Sequence, residues 1–180
     1  SFLTFICLIP VAISFLKPYQ KARILTFFNP ERDPLGAGYQ IIQSKIAVGS
    51  GGLFGKGYLQ GSQSYLDYLP EKHTDFIFTL FSEEFGLIGS TVLLLIYVMI
   101  IYRIIFIGNS SRNNFARLFC FSFATAFFAY VAVNMSMVLG LLPIVGAPLP
   151  IMSYGGSAML SMMIGLGIVM SCKVYAKEGV

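Results

Sequence analysis

The stretch Leu87 to Ile107, LIGSTVLLLIYVMIIYRIIFI, decides the class of this protein. Arg103 is its single charge, and Gly108-Asn109 closes it. A helix of about 20 apolar residues, rising about 1.5 Å per residue, matches the hydrocarbon core of a bilayer. Two further runs share this character. Phe115 to Leu142 is rich in Phe, Ala and Met, and Ile151 to Val174 carries Gly155, Gly156, Ser157, Gly165 and Gly167. Small residues let helices approach closely in lipid, so the last run is expected to pack inside a bundle. Three spans are therefore expected, at about 87–107, 115–142 and 151–174.

Composition supports this. The 180 residues are 56% hydrophobic and only 11% charged, with mean hydropathy +0.76. Soluble domains carry about 25% charged residues, and a small one has much surface to cover. Disorder, a disulfide scaffold and a soluble basic nucleic-acid binder are excluded, so no nucleic-acid partner is expected. An all-α polytopic membrane protein remains, with membrane lipid around it. Cys7, Cys120 and Cys172 lie in apolar segments without paired spacing and read as small buried side chains.

The charges are concentrated. Fourteen of the twenty lie between Lys17 and Glu84, equally divided between bases and acids. That segment, 17–86, reads as a long loop in water or lining a polar cavity. Short-loop bases set orientation: Arg103, Arg112 and Arg117 surround one turn, and Lys173 and Lys177 close the last span. Both clusters are expected on the cytoplasmic side, which puts Leu142 to Pro150 and the long loop outside. Ser1 to Leu16 is apolar but shorter than a full span. It has no basic n-region and no cleavage site, and reads as the tail of a longer helix rather than a signal peptide.

The long loop has internal order. Gln40 to Val48 has apolar spacing that suits a short interfacial helix. Gly49 to Gly57, GSGGLFGKG, is a glycine-rich turn. It fails as a phosphate loop, because Ser50 stands where the first Gly is needed and Gly57 where Ser or Thr is needed. Its plain reading is a turn that lets backbone approach a neighbour. Its amides and Lys56 also suit contact with a lipid pyrophosphate. Pro70 to Gly86 then reads as a helix with Pro in its first turn, early acids and a glycine stop.

Three constellations carry candidate chemistry. In Glu71-Lys72-His73-Thr74-Asp75, one reading makes Asp75 or Thr74 a helix cap and Glu71 a dipole partner. The other notes that Asp75 meets apolar sequence at the membrane edge, where a carboxylate is costly unless used or paired. A general base for a membrane-bound substrate belongs there. His73 is the only histidine, and one His beside acids is not a metal-ligand pattern, though a divalent cation stays open. Glu83-Glu84 is either a solvated pair or a support that pairs a loop base. Leu141 to Ala158, LLPIVGAPLPIMSYGGSA, holds three prolines between two spans. It is either a tight external hairpin or a re-entrant wall of the site, because irregular backbone at membrane depth must be buried in protein or line a cavity. Asn134 within a span is expected to hydrogen-bond across helices.

These blocks, in this order, closely resemble the RodA/FtsW/SpoVE (SEDS) family of bacterial cell-wall membrane proteins. The resemblance rests on Asn29 to Gly57, on LPEKHTDFIF at 69–78 and on EEFGLIG at 83–89. Asn134, Leu142-Pro143, Gly146, Pro148-Leu149-Pro150 and SYGGSA at 153–158 complete it. Ala147 is smaller than the aliphatic residue expected there. The resemblance covers nearly the whole chain, but only the C-terminal half of the family's roughly ten-helix fold. It implies a multi-pass protein of the bacterial cytoplasmic membrane, most like the family's elongation-phase branch. It implies a peptidoglycan glycosyltransferase that polymerises lipid II, with a class B penicillin-binding protein as partner and no organic cofactor.

The family's essential acid maps to Asp75, as general base. Arg32, Lys45, Lys56 and Lys72 are the expected pyrophosphate contacts, and Glu71, His73, Ser153 and Tyr154 further substrate contacts. A lipid II transporter and a non-catalytic scaffold for the penicillin-binding protein are the alternatives.

Overall fold

The computed structural model describes residues 17–29, 36–61 and 74–175. The expectations on Ser1 to Leu16, Cys7, Arg32, Pro70, Glu71, Lys72, His73 and Lys177 lie outside them. Five helices are described: α1 Pro18–Phe28, α2 Ala37–Ser50, α3 Ile77–Ser110, α4 Asn114–Val138 and α5 Gly156–Tyr175. No described residue is in a strand. Helices α3, α4 and α5 are each long and apolar enough to cross a membrane.

The helix ends follow local chemistry. Helix α4 starts where the Asn113 side chain accepts a hydrogen bond from the Phe115 N–H. It ends at Val138, short of Leu142. Gly140, at φ +66°, donates to the Met137 carbonyl and Leu141 to the Ser136 carbonyl, which closes a Schellman cap. Helix α5 starts at Gly156 rather than at 151, because Ile151 to Gly155 belong to the crossing segment below.

Helix α3 is the long element, and it bends. Gly86 sits at φ +65° and ψ −161°, and its place permits no side chain: a Cβ there would strike the backbone of Gly55 and Leu53. Along a straight helix Thr74 and Tyr97 would lie about 35 Å apart. Both are instead tied to the short turn 149–153, so the limb Ile77–Phe85 folds away from the line of Leu87–Ser110. Phe78 and Ser82 of the first limb, with Leu87, Ser90 and Leu94 of the second, line a groove of about 270 Å³.

A bent helix leaves backbone groups without helical partners. The glycine-rich segment takes them up. Lys56 and Gly57 N–H donate to the Glu83 and Glu84 carbonyls, and Leu87 and Ile88 N–H donate to the Gly52 and Leu53 carbonyls.

The core lies between α3, α4 and the crossing 139–155. Phe76, Phe78, Tyr97, Phe127, Met137, Val138, Ile144 and Leu149 are buried there together, with Ile41 of α2. A second cluster, Ile104, Ile107, Cys120, Ala124 and Val169, joins the far ends of α3, α4 and α5. Helix α5 buries only Gly165 and Val169 among the described residues. It follows one seam, where Gly165 lies directly against the Phe123 ring.

Candidate functional site

Asp75 stands just outside the start of α3, at the end of the bundle opposite the arginine-flanked turn 111–113. The N-cap position falls to Phe76, whose side chain makes no cap. The carboxylate therefore does not occupy the capping position that one reading of the sequence gave it. It lies half-buried, at the positive end of the first limb, where the helix dipole favours an anion.

Two side chains from elsewhere in the chain fix the backbone around it. Asn134 Nδ2 donates to the Asp75 carbonyl at 2.9 Å and to the Ala147 carbonyl at 2.7 Å. Its partners are thus two irregular segments, not the neighbouring helix that the sequence suggested. Ser153 Oγ donates to the Thr74 carbonyl at 2.7 Å and accepts the Leu149 N–H at 2.7 Å. Asn134 and Ser153 are both buried. The Asn134 Oδ1 and the Thr79 Oγ1 are buried without a hydrogen-bond partner.

The crossing 139–155 forms the floor beneath Asp75. A Cβ at Gly146 would lie 3.3 Å from Asp75 Oδ2, so the carboxylate rests over this glycine. Two more side chains hold the crossing. Tyr97 Oη donates to the Pro150 carbonyl at 2.7 Å, and Arg23 Nη1 donates to the Ile144 carbonyl at 2.9 Å. Neither residue stood out in the sequence as part of a site. Tyr97 reads as one more apolar-run residue, and Arg23 as one of several loop bases. The only available signal was that Tyr97 places a hydroxyl in mid-span, where it needs a partner.

The other expected site residues are spread around this centre. Lys56 Nζ pairs with Glu83 Oε1 at 2.7 Å; Glu83 is fully buried, two helical turns beyond Asp75. The expected pairing of an acid at 83–84 with a loop base is therefore present. Lys45 lies over Gly140 at the C-terminal end of α4, where the helix dipole favours a cation. Tyr154 is 83% exposed and lines an open hollow of about 680 Å³ with Ile77, Met152, Gly155 and Met159. Ser153 lines the same hollow, but its hydroxyl is used within the fold. Among the described residues, no group of three or more His, Cys, Asp or Glu side chains is placed to hold a metal ion.

Arranged this way, the site presents one carboxylate at a helix start, over an irregular and tightly bonded floor. It can accept a proton from a hydroxyl brought to it at the membrane surface. Comparison with known proteins places the chain in a family. The FtsW/RodA/SpoVE model, described as a cell cycle protein, matches residues 1–178. The chain belongs to this family, and it is a multi-pass membrane protein.

It is 51% identical over 170 residues to the peptidoglycan glycosyltransferase MrdB of Escherichia coli (strain K12), covering 94% of this chain and 46% of that protein. It is 42% identical to the peptidoglycan glycosyltransferase RodA of Treponema pallidum (strain Nichols) over 161 residues, 89% of this chain and 37% of that one. The chain thus spans about half or less of the length of these relatives. Among solved structures, it superposes on a chain of a peptidoglycan synthase complex described for its coordination of polymerization and crosslinking. The TM-score is 0.78 at 30% identity, over 99% of this chain and 48% of that one. A variant of the Thermus thermophilus rod shape determining protein RodA matches with a TM-score of 0.59 at 31% identity, over 71% and 40%.

Proposed function

We propose that this chain carries the catalytic base of a peptidoglycan glycosyltransferase that polymerises lipid II during wall elongation. The observation that carries the reading is the convergence of Asn134 and Ser153 on the two carbonyls beside the Asp75 side chain. Pre-set geometry of this kind is what a positioned base requires. Relatives at 51% and 42% identity are named for the same activity.

In the proposed reaction an acceptor sugar hydroxyl attacks an anomeric carbon. The bond from that carbon to the pyrophosphate oxygen breaks, the undecaprenyl pyrophosphate leaves with the electron pair, and Asp75 takes the hydroxyl proton. A base of this sort contributes about 10²–10⁴-fold. The leaving group needs positive charge rather than a proton. Arg23, with one N–H of its fork on the Ile144 carbonyl, joins Arg32, Lys45, Lys56 and Lys72 as a candidate for that role. Glu71, His73 and Tyr154 remain proposed substrate contacts, while Ser153 acts through the Thr74 carbonyl. No organic cofactor is needed by this chemistry, and a divalent cation bridging the pyrophosphate is compatible with it. A class B penicillin-binding protein is the proposed partner, supported by the likeness to a chain of a synthase complex.

The test is glycan polymerisation from lipid II by full-length protein purified in detergent, where no transbilayer step exists. Asp75→Asn and Asp75→Ala are expected to abolish polymer while leaving the protein in the membrane. Polymer at the parent level from either variant would refute the role of Asp75. A parent protein that moves lipid II across vesicles but makes no polymer in detergent would favour transport. Chelation with EDTA during the same assay reads the need for a divalent cation.

A further inference from the structure

The glycine-rich segment 51–61 is docked on the bend of α3, yet it presents a run of apolar side chains outward. Leu53, Phe54, Tyr58 and Leu59 are 61%, 81%, 72% and 69% exposed. The only charge in the segment is Lys56, and its ammonium is engaged by the buried Glu83. Lys56 keeps 31% of its side chain exposed, and Glu84 Oε1 accepts the Leu59 N–H at 3.3 Å, so the two nearby charges are held by protein partners while the four apolar side chains project outward.

The backbone bonds from Gly52, Leu53, Lys56 and Gly57 to residues 83–88 fix the height of this segment along α3. That height is where an exposed apolar face of the second limb begins. Leu87, Ile88, Val92, Leu95 and Met99 are all exposed along it. From Leu87 to Ile107 the limb is about 30 Å long, the thickness of a hydrocarbon core, so Gly86 falls at its boundary. The exposed tip at 53–59 is thus level with the top of the lipid-facing surface.

We propose that Leu53, Phe54, Tyr58 and Leu59 form a membrane anchor seated in the interfacial zone of the bilayer, with lipid as the occupant of this face. Tyrosine and other amphipathic aromatics are favoured at that level, and apolar groups enter it by about 5–10 Å. The tip stays in the interface rather than the core, because an irregular turn keeps backbone groups that need water. The anchor holds the bend of α3, and with it the first limb that begins beside Asp75, at a fixed height in the membrane. This placement does not depend on the glycosyltransferase reading.

These 180 residues contain no tryptophan, so a single one introduced here is a local probe, read by difference against the rest of the full-length protein. Phe54→Trp and, separately, Tyr58→Trp are made in full-length protein and reconstituted into phosphatidylcholine and phosphatidylglycerol vesicles. Emission is read as the difference from the unsubstituted protein. Blue-shifted emission is expected. Lipids brominated near the top of the acyl chain should quench it most, those brominated near the chain end less, and aqueous acrylamide least. Emission quenched by acrylamide but not by bromolipid would place the tip in water and overturn the proposal. Emission shielded from both would show that protein covers the tip, and would overturn it equally. The second position gives the same reading if the first variant does not reconstitute.

Discussion

At the residue scale, two side chains, Asn134 and Ser153, hold the main chain that carries the Asp75 carboxylate. Asn134→Ala would remove one donor from the part-buried Asp75 and Ala147 carbonyls, and Ser153→Ala would remove one bond each from the Thr74 carbonyl and the Leu149 N–H. Each lost hydrogen bond costs about 0.5–1.5 kcal/mol. Both variants are expected to unfold at lower temperature in detergent and to polymerise more slowly, while Ser153→Thr keeps the hydroxyl and most of both properties. Alanine variants as stable as the parent would show that these bonds do not hold the site. Asn134 was legible as a polar mark within a span, and Ser153 as a substrate contact implied by the SYGGSA resemblance. Their partners were not, because the bonds join segments far apart in sequence, and only folding brings Thr74 against Ser153. Tyr97 was hidden for the opposite reason, since its ring suits the span and only its hydroxyl, on the Pro150 carbonyl, reports the site.

At the element scale, hydropathy located the membrane helices, and local chemistry set their ends. The apolar run continues through Leu142, so hydropathy alone carries α4 past its Schellman cap at Gly140. Likewise Ile151 and Met152 look like helix, but the Ser153 bonds hold them in a turn. The break at Gly86 was legible as a glycine stop, and Gly86 is indeed non-helical; the direction in which the first limb folds back was not legible, because it depends on bonds to the distant turn 149–153. The small residues of α5 were legible only as a group. Gly165 faces Phe123, whereas a Cβ at Gly167 meets open space. Gly165→Ala is expected to destabilise by about 1–3 kcal/mol through crowding against the ring. Gly167→Ala is expected to be neutral or stabilising by about 0.5–1 kcal/mol, because it stiffens the helix. Thermal unfolding of the two variants in one detergent separates them, and equal effects would remove the seam at Gly165.

At the scale of the whole molecule, the chain sorts its charges by end. Following α3 down, α4 up and α5 down puts Arg103, Arg112, Arg117 and Lys173 toward one end. Asp75, Arg23, Lys45 and the crossing 139–155 are at the other. By the excess of bases near short turns, the first end is expected on the cytoplasmic side. Cysteine substituted at Asn113 is therefore expected to react with a membrane-impermeant maleimide only when the cytoplasmic face is opened. Cysteine at the exposed Val145 should react from outside in intact cells. The reverse pattern would invert the topology and take Asp75 away from externally displayed substrate. This distribution was readable from the sequence, because it needs only the order of spans and bases. The concentration of acids and bases between Lys17 and Glu84 was readable too, as was a pairing of 83–84 with a loop base, but not that Glu83 is the buried acid and Lys56 its partner.

The crossing 139–155 has a consequence for the timescale on which this end of the protein opens. It has almost no regular structure, yet α1, α3 and α4 each fasten it through one side chain, and Ser153 fastens it to the segment before α3. Amide exchange follows the cost of opening a hydrogen bond rather than the name of the secondary structure. The Leu149 amide, bonded to Ser153 Oγ, and the Ser153 amide, bonded to the Leu149 carbonyl, should therefore take up deuterium as slowly as the buried turns of α4. Ser153→Ala should release both at once. A segment that resembles a loop on paper would then behave in solution as a rigid plate, and the carboxylate above it would keep its aim between turnovers.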